Sequence, residues 1–161
     1  MSYADFLARK AEVARAPGIR VPPSDIHPFL HPWQRELVAW ALDVGRAALW
    51  ADTGLGKTVM QVEWASRVGG VVLIVAPLAV CAQTVRESRK VDVDATYVRD
   101  GSQITGPGVW VTNYEMVERF DPSTLTGVVL DEASILKNSD GKTRTMLIQR
   151  FANVPYRLAA T

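Results

Sequence analysis

Residues 51–58 read ADTGLGKT, a spacing suited to gripping phosphate. Gly54 and Gly56 allow successive main-chain N–H groups to turn inward as an anion nest, and a helix opening at Lys57 adds the positive end of its dipole. Lys57 would set its ammonium between β- and γ-phosphates, and Thr58 would supply a hydroxyl to help hold Mg²⁺. Thr53 and Leu55 complete the loop that would wrap the ligand, for which a triphosphate is the natural candidate. The first position is Ala51, where the general pattern has Gly. The apolar AALW before the loop and the amphipathic stretch after it supply the strand, loop and helix context that a P-loop requires and a chance Gly-rich turn does not.

A second acidic element completes that chemistry. The run GVVL ends in Asp131 and Glu132. In open α/β sheets ligands bind outside the carboxyl ends of strands, which would bring this pair beside the loop. Asp131 would then orient Mg²⁺ and Glu132 would polarise the water that attacks the γ-phosphate. An isolated Asp-Glu pair reads more readily as dipole-complementing acids at a helix start; following an apolar strand downstream of a P-loop, it reads as catalytic. Gln34 carries an amide able to meet both N6 and N7 of adenine.

Three other chemistry-bearing residues read as structural. His27 and His31 have helical metal-ligand spacing, but Pro28 and Pro32 forbid a helix between them. Cys81, the one cysteine, lies in an apolar run and reads as a small buried hydrophobe.

These groups need a scaffold, and the hydrophobic pattern supplies one. Pro32 opens a helix on which Trp33, Leu37, Trp40, Ala41 and Val44 form an apolar stripe ending at Gly45. Strand RAALWA follows, then a helix over 57–68, strand VVLIVA, and a helix over 79–89. The pattern continues with a short strand over 95–98, strand VWVT, a helix over 114–120, strand VVLD, a helix over 143–151 and strand YRLAA. Continuous apolar strands alternating with helices predict an α/β fold, a mostly parallel sheet with helices on both faces.

The chain has 161 residues, 48% of them hydrophobic, with 18 basic and 17 acidic side chains. That balance predicts one globular domain and excludes a polybasic binder. VVLIVAPLAVCA is interrupted by Pro77 and falls short of the ~20 residues a membrane helix needs, so no membrane partner is expected. Without a secretory signal or paired cysteines, the expected compartment is reducing: the cytoplasm, or a host's cytoplasm for a phage-encoded chain. Residues 1–25 are expected to form a short amphipathic helix and a Pro-rich linker, and 26–161 the domain.

Taken together the motifs resemble the first RecA-like lobe of superfamily two helicases and translocases, especially the Swi/Snf-like group with its phage and bacterial members. LHPWQREL is similar to that family's Q motif, ADTGLGKT to motif I, VAPLAV to Ia, VTNYEM to Ib, LDEAS to II and RLAAT to the start of III, over about 30–161. ILKN resembles the Lys-Asn element that follows motif II in Swi/Snf-like proteins. Ser134 departs from the His or Asp of many relatives.

The resemblance implies a RecA-like P-loop NTPase fold binding ATP and Mg²⁺. Gln34 and Arg35 would lie at the adenine end, and Pro77, Leu78, Thr112, Asn113 and Tyr114 would touch a nucleic-acid backbone, most readily duplex DNA. Thr161 would sit in the coupling motif. It also implies a second RecA-like lobe that supplies an arginine, so that this lobe alone would hydrolyse ATP feebly. The competing readings are a stand-alone nucleotide-binding regulatory module and an RNA helicase lobe.

Overall fold

The computed structural model describes residues 18–52, 54–132 and 141–161, with 141–144 described by main chain only. The expected N-terminal helix, Thr53, Ser134 and the ILKN element lie outside the described residues.

The elements are α1 (Pro32–Val44), β1 (Arg46–Leu49), α2 (Lys57–Val68), β2 (Val71–Ala76), α3 (Leu78–Ser88), β3 (Thr96–Tyr97), β4 (Gly108–Asn113), β5 (Gly127–Leu130), α4 (Gly141–Arg150) and β6 (Tyr156–Ala160). The strands form one sheet in the order β1-β6-β5-β2-β4-β3, and every pairing is parallel. This is the expected α/β architecture. All-parallel sheets must be covered on both faces, and the alternation along β2 shows how. Val72, Ile74 and Ala76 join the core beneath α1, α2 and α3, whereas Leu73 and Val75 join Phe120, Leu147 and Phe151 on the opposite face.

Four sequence expectations change in detail. The stripe on α1 is displaced: Val38, Ala41 and Leu42 are buried with Gln34, while Trp33, Leu37 and Trp40 are 43%, 36% and 50% exposed. Periodicity locates an apolar face but cannot choose between adjacent faces when both are apolar. The first strand stops at Leu49, leaving Trp50 82% exposed beside the phosphate loop. Residues Tyr114–Arg119 wind as a 3₁₀ helix rather than an α-helix, a form suited to short connectors. The fifth strand ends at Leu130, so Asp131 lies in the turn beyond it.

The Pro-rich stretch is a strap held by polar contacts. Ile19 N–H donates to the Leu42 carbonyl at 2.9 Å. The buried Glu63 Oε1 accepts from the His27 main-chain N–H at 3.0 Å and from Arg67 Nε at 2.9 Å. Arg67 also donates to the Asp25 carbonyl. The His27 ring sits 3.1 Å from Asp92 Oδ2, a packing role consistent with its sequence reading. Among the described residues no helix is long and apolar enough to cross a membrane.

Candidate nucleotide site

The phosphate loop takes its shape from its glycines. Gly54 and Gly56 have φ of +83° and +74°, the left-handed region that costs a residue with a Cβ roughly 1–2 kcal/mol. Gly56 is also the N-cap of α2, so the unpaired N–H groups of the first helical turn open onto the loop. A Cβ on Gly56 would lie 2.6 Å from Gln34 Nε2. Lys57 Nζ donates to the Ala51 carbonyl at 2.9 Å, which holds the ammonium across the mouth of the loop.

Gln34 acts as a clamp. Its Oε1 accepts from the His31 N–H and its Nε2 donates to the Leu55 carbonyl, both at 2.8 Å. One amide thereby caps α1 and ties that helix to the loop. An amide has two donors and two acceptor sites, so one of each remains after these bonds.

The acidic pair is built at the end of the sheet. Asp131 N–H donates to the Val75 carbonyl at 2.8 Å, which fixes the turn to the neighbouring strand. The Tyr114 hydroxyl donates to the Asp131 carbonyl. Asp131 Oδ1 accepts from Gln61 Nε2 at 2.6 Å and from the Glu132 N–H at 3.0 Å. Burial holds the Asp131 carboxyl above its ordinary range; the Gln61 and Glu132 N–H groups and the Lys57 charge oppose this, while the Glu132 charge adds to it. Burial beside both carboxylates likewise raises Tyr114, so its hydroxyl stays a donor. Glu132 adopts φ +53°, a strained conformation for a residue with a Cβ and one that recurs where function dictates geometry.

A cleft of about 790 Å³ joins the two halves, with Gly54, Gly56, Lys57, Thr58, Asp131 and Glu132 all in its wall. The donor set is a run of main-chain N–H groups with an ammonium and a hydroxyl, facing two carboxylates. It fits a phosphate chain with a divalent cation that takes few protein ligands and keeps its waters. Among the described residues no cluster of three or more His, Cys, Asp or Glu forms a metal cage. Gln34, Leu55 and Phe29 also line it.

Other expected positions fall elsewhere. Arg35 is on α1 beside Gln34 but does not line the cleft. Pro77 is the N-cap of α3, and Leu78 beside it is exposed. Thr112 and Asn113 are buried. Asn113 Oδ1 caps the 3₁₀ helix by accepting from the Glu115 and Met116 N–H groups, and its Nδ2 donates to the Tyr97 hydroxyl. The side chains of Thr112 and Asn113 therefore face the interior. Thr161 exchanges main-chain hydrogen bonds with β1 and the loop, donating to Leu49 and accepting from Ala51, both at 3.1 Å. Sequence reasoning missed Gln61, which lies one helical turn beyond Lys57; a polar residue inside an amphipathic helix was the available signal.

No sequence-family model and no curated protein matches this chain. Solved structures do. The UvsW helicase of bacteriophage T4 superposes with a TM-score of 0.63 at 18% identity, over 99% of this chain and 60% of that one. The SWI2/SNF2 ATPase core of Sulfolobus solfataricus, solved with double-stranded DNA, gives 0.68 at 24% identity, over 89% of this chain and 34% of its own.

The fold is that of a RecA-like helicase lobe.

A third such structure, the Hef helicase domain of Pyrococcus furiosus, gives 0.62 at 18% identity over 80% of this chain and 32% of its own. The chain thus spans less than two thirds of the length of each of these structures.

Proposed function

We propose that this lobe binds ATP with Mg²⁺ and, paired with a second RecA-like lobe, hydrolyses it to drive movement on duplex DNA. The observation that carries the reading is the convergence of Lys57 and Thr58 from one end of the sheet with Asp131 and Glu132 from its middle on a single cleft. Bound Mg²⁺ would neutralise charge on the β- and γ-phosphates. Lys57, now donating to the Ala51 carbonyl, would turn to the phosphates, and Thr58 and Asp131 would help hold the cation. Glu132 takes a proton from the attacking water. The preference for duplex DNA draws its support from the motif resemblance and from the archaeal core solved on double-stranded DNA.

The decisive experiment is binding of a fluorescent ATP analogue by wild-type and Lys57→Ala protein. Wild-type protein is expected to bind in a Mg²⁺-dependent way and Lys57→Ala to lose binding; equal affinity of the two overturns the reading. Comparing duplex DNA, single strands and RNA as stimulators of turnover by a two-lobe protein then tests the substrate, and stimulation by RNA alone would assign it to RNA.

A further inference from the structure

Gln61 is fully buried on α2, one turn beyond Lys57, on the same helical face. Its Nε2 donates to Asp131 Oδ1 at 2.6 Å, yet its Oε1 has no partner among the described residues. Leaving a buried acceptor unpaired is unfavourable, and a core position on an amphipathic helix would ordinarily hold an apolar residue. The orientation has one evident cause: the opposite flip would press a carbonyl oxygen against a carboxylate. The neighbouring Glu132 N–H converges on the same oxygen. Both donors therefore occupy Oδ1, and Oδ2 is left as the oxygen of Asp131 without a partner among the described residues, in a side chain that lines the cleft.

We propose that Gln61 is a positioning residue, a strut by which the helix carrying Lys57 and Thr58 holds Asp131 with one oxygen engaged and the other presented to a nucleotide-bound divalent cation. This rests on the nucleotide-binding reading above and adds a residue that the motifs do not contain. Because the strut starts on the helix that begins at the phosphate loop, it fixes the separation between the loop and the cation-orienting carboxylate. Partners of this kind set metal affinity by about 10–100-fold without touching the metal.

The test compares wild-type and Gln61→Met protein, a change that keeps length and removes the donor. Binding of a fluorescent ADP analogue is measured in EDTA and then across a Mg²⁺ titration. Affinity in EDTA is expected to stay within about twofold, whereas the Mg²⁺ concentration for half-maximal gain rises about tenfold. An unchanged Mg²⁺ midpoint in a folded variant overturns the strut, and so does an equal loss of affinity with and without Mg²⁺, which marks a purely structural role. Should Gln61→Met fail to fold, the wild-type protein still decides. The Gln61 side-chain amide is expected to exchange slowly with solvent and to shift on Asp131→Asn substitution, and fast exchange with no shift overturns the proposal. Wild-type protein that binds no nucleotide removes the parent reading; Mg²⁺-dependent wild-type binding that needs Lys57 but ignores Gln61 removes the strut alone.

Discussion

Replacing Gly56 by Ala tests the geometry of the phosphate loop quantitatively. Two costs are expected. The left-handed φ of +74° penalises a Cβ by roughly 1–2 kcal/mol. The new Cβ, placed 2.6 Å from Gln34 Nε2, must also displace that amide and break its bond to the Leu55 carbonyl, costing about 1 kcal/mol more. Gly54 provides an internal control: its φ of +83° is equally left-handed, but a Cβ there meets no atom of the described residues within 4 Å, so Gly54→Ala should incur the backbone term alone. In a Gln34→Ala background the collision disappears, and Gly56→Ala should become about 1 kcal/mol less damaging. Urea denaturation of the four proteins of the Gly56 and Gln34 cycle, with Gly54→Ala alongside, measures each term. Additivity within about 0.3 kcal/mol, or equal costs at the two glycines, would refute the claim that Gln34 clamps the loop.

Further outcomes follow from the same structure. Burial pushes the Cys81 thiol from 9.0 to about 11, so at pH 8 its thiolate should be about a hundredfold scarcer than an ordinary one; labelling by a thiol reagent should be slow in native protein and fast in urea. The native thiol keeps a proton that the unfolded chain releases between those values, so stability should fall as pH rises through that window, and a flat profile for wild-type relative to Cys81→Ala would contradict the assignment. Asn113→Ala removes a cap with two N–H acceptances and a bond to Tyr97; it should cost about 2 kcal/mol, with Asn113→Asp recovering part of it in thermal melts. Glu132→Gln should bind nucleotide like wild-type and abolish turnover once a second lobe is supplied, and full turnover would refute the base assignment.

The chemistry of the site was more legible in the sequence than its packing. The loop is written locally, since two glycines, a lysine and a threonine at fixed spacing need only a strand before and a helix after. Strand β2 was equally plain, an unbroken apolar run with room for nothing polar. The outward face of Trp33, Leu37 and Trp40 was not legible, because α1 is apolar around most of its circumference and tertiary contacts choose which side is buried. Asp131 could be foreseen as an acid at a strand end, and Gln61 stood out as a polar residue on an amphipathic helix, but their pairing could not: it spans 70 residues and depends on how α2 crosses the sheet. The motif resemblance places Asn113 at a nucleic-acid backbone, but nothing in the sequence marks the buried cap bonds its side chain makes.

The position of β6 has a consequence for assembly. Among the described residues the strand that leads into the phosphate loop, β1, pairs only with β6, and β6 in turn pairs with β5, which ends at the acidic pair. Arg46 lies opposite Arg157, so the loop cannot be registered against its carboxylates until a contact of about 110 residues' separation has closed, a slow class of event in folding. Nothing in Tyr156–Ala160 lines the cleft, yet this segment works as the zip between its two halves. A nick or a proline there would leave both motifs intact and still part them.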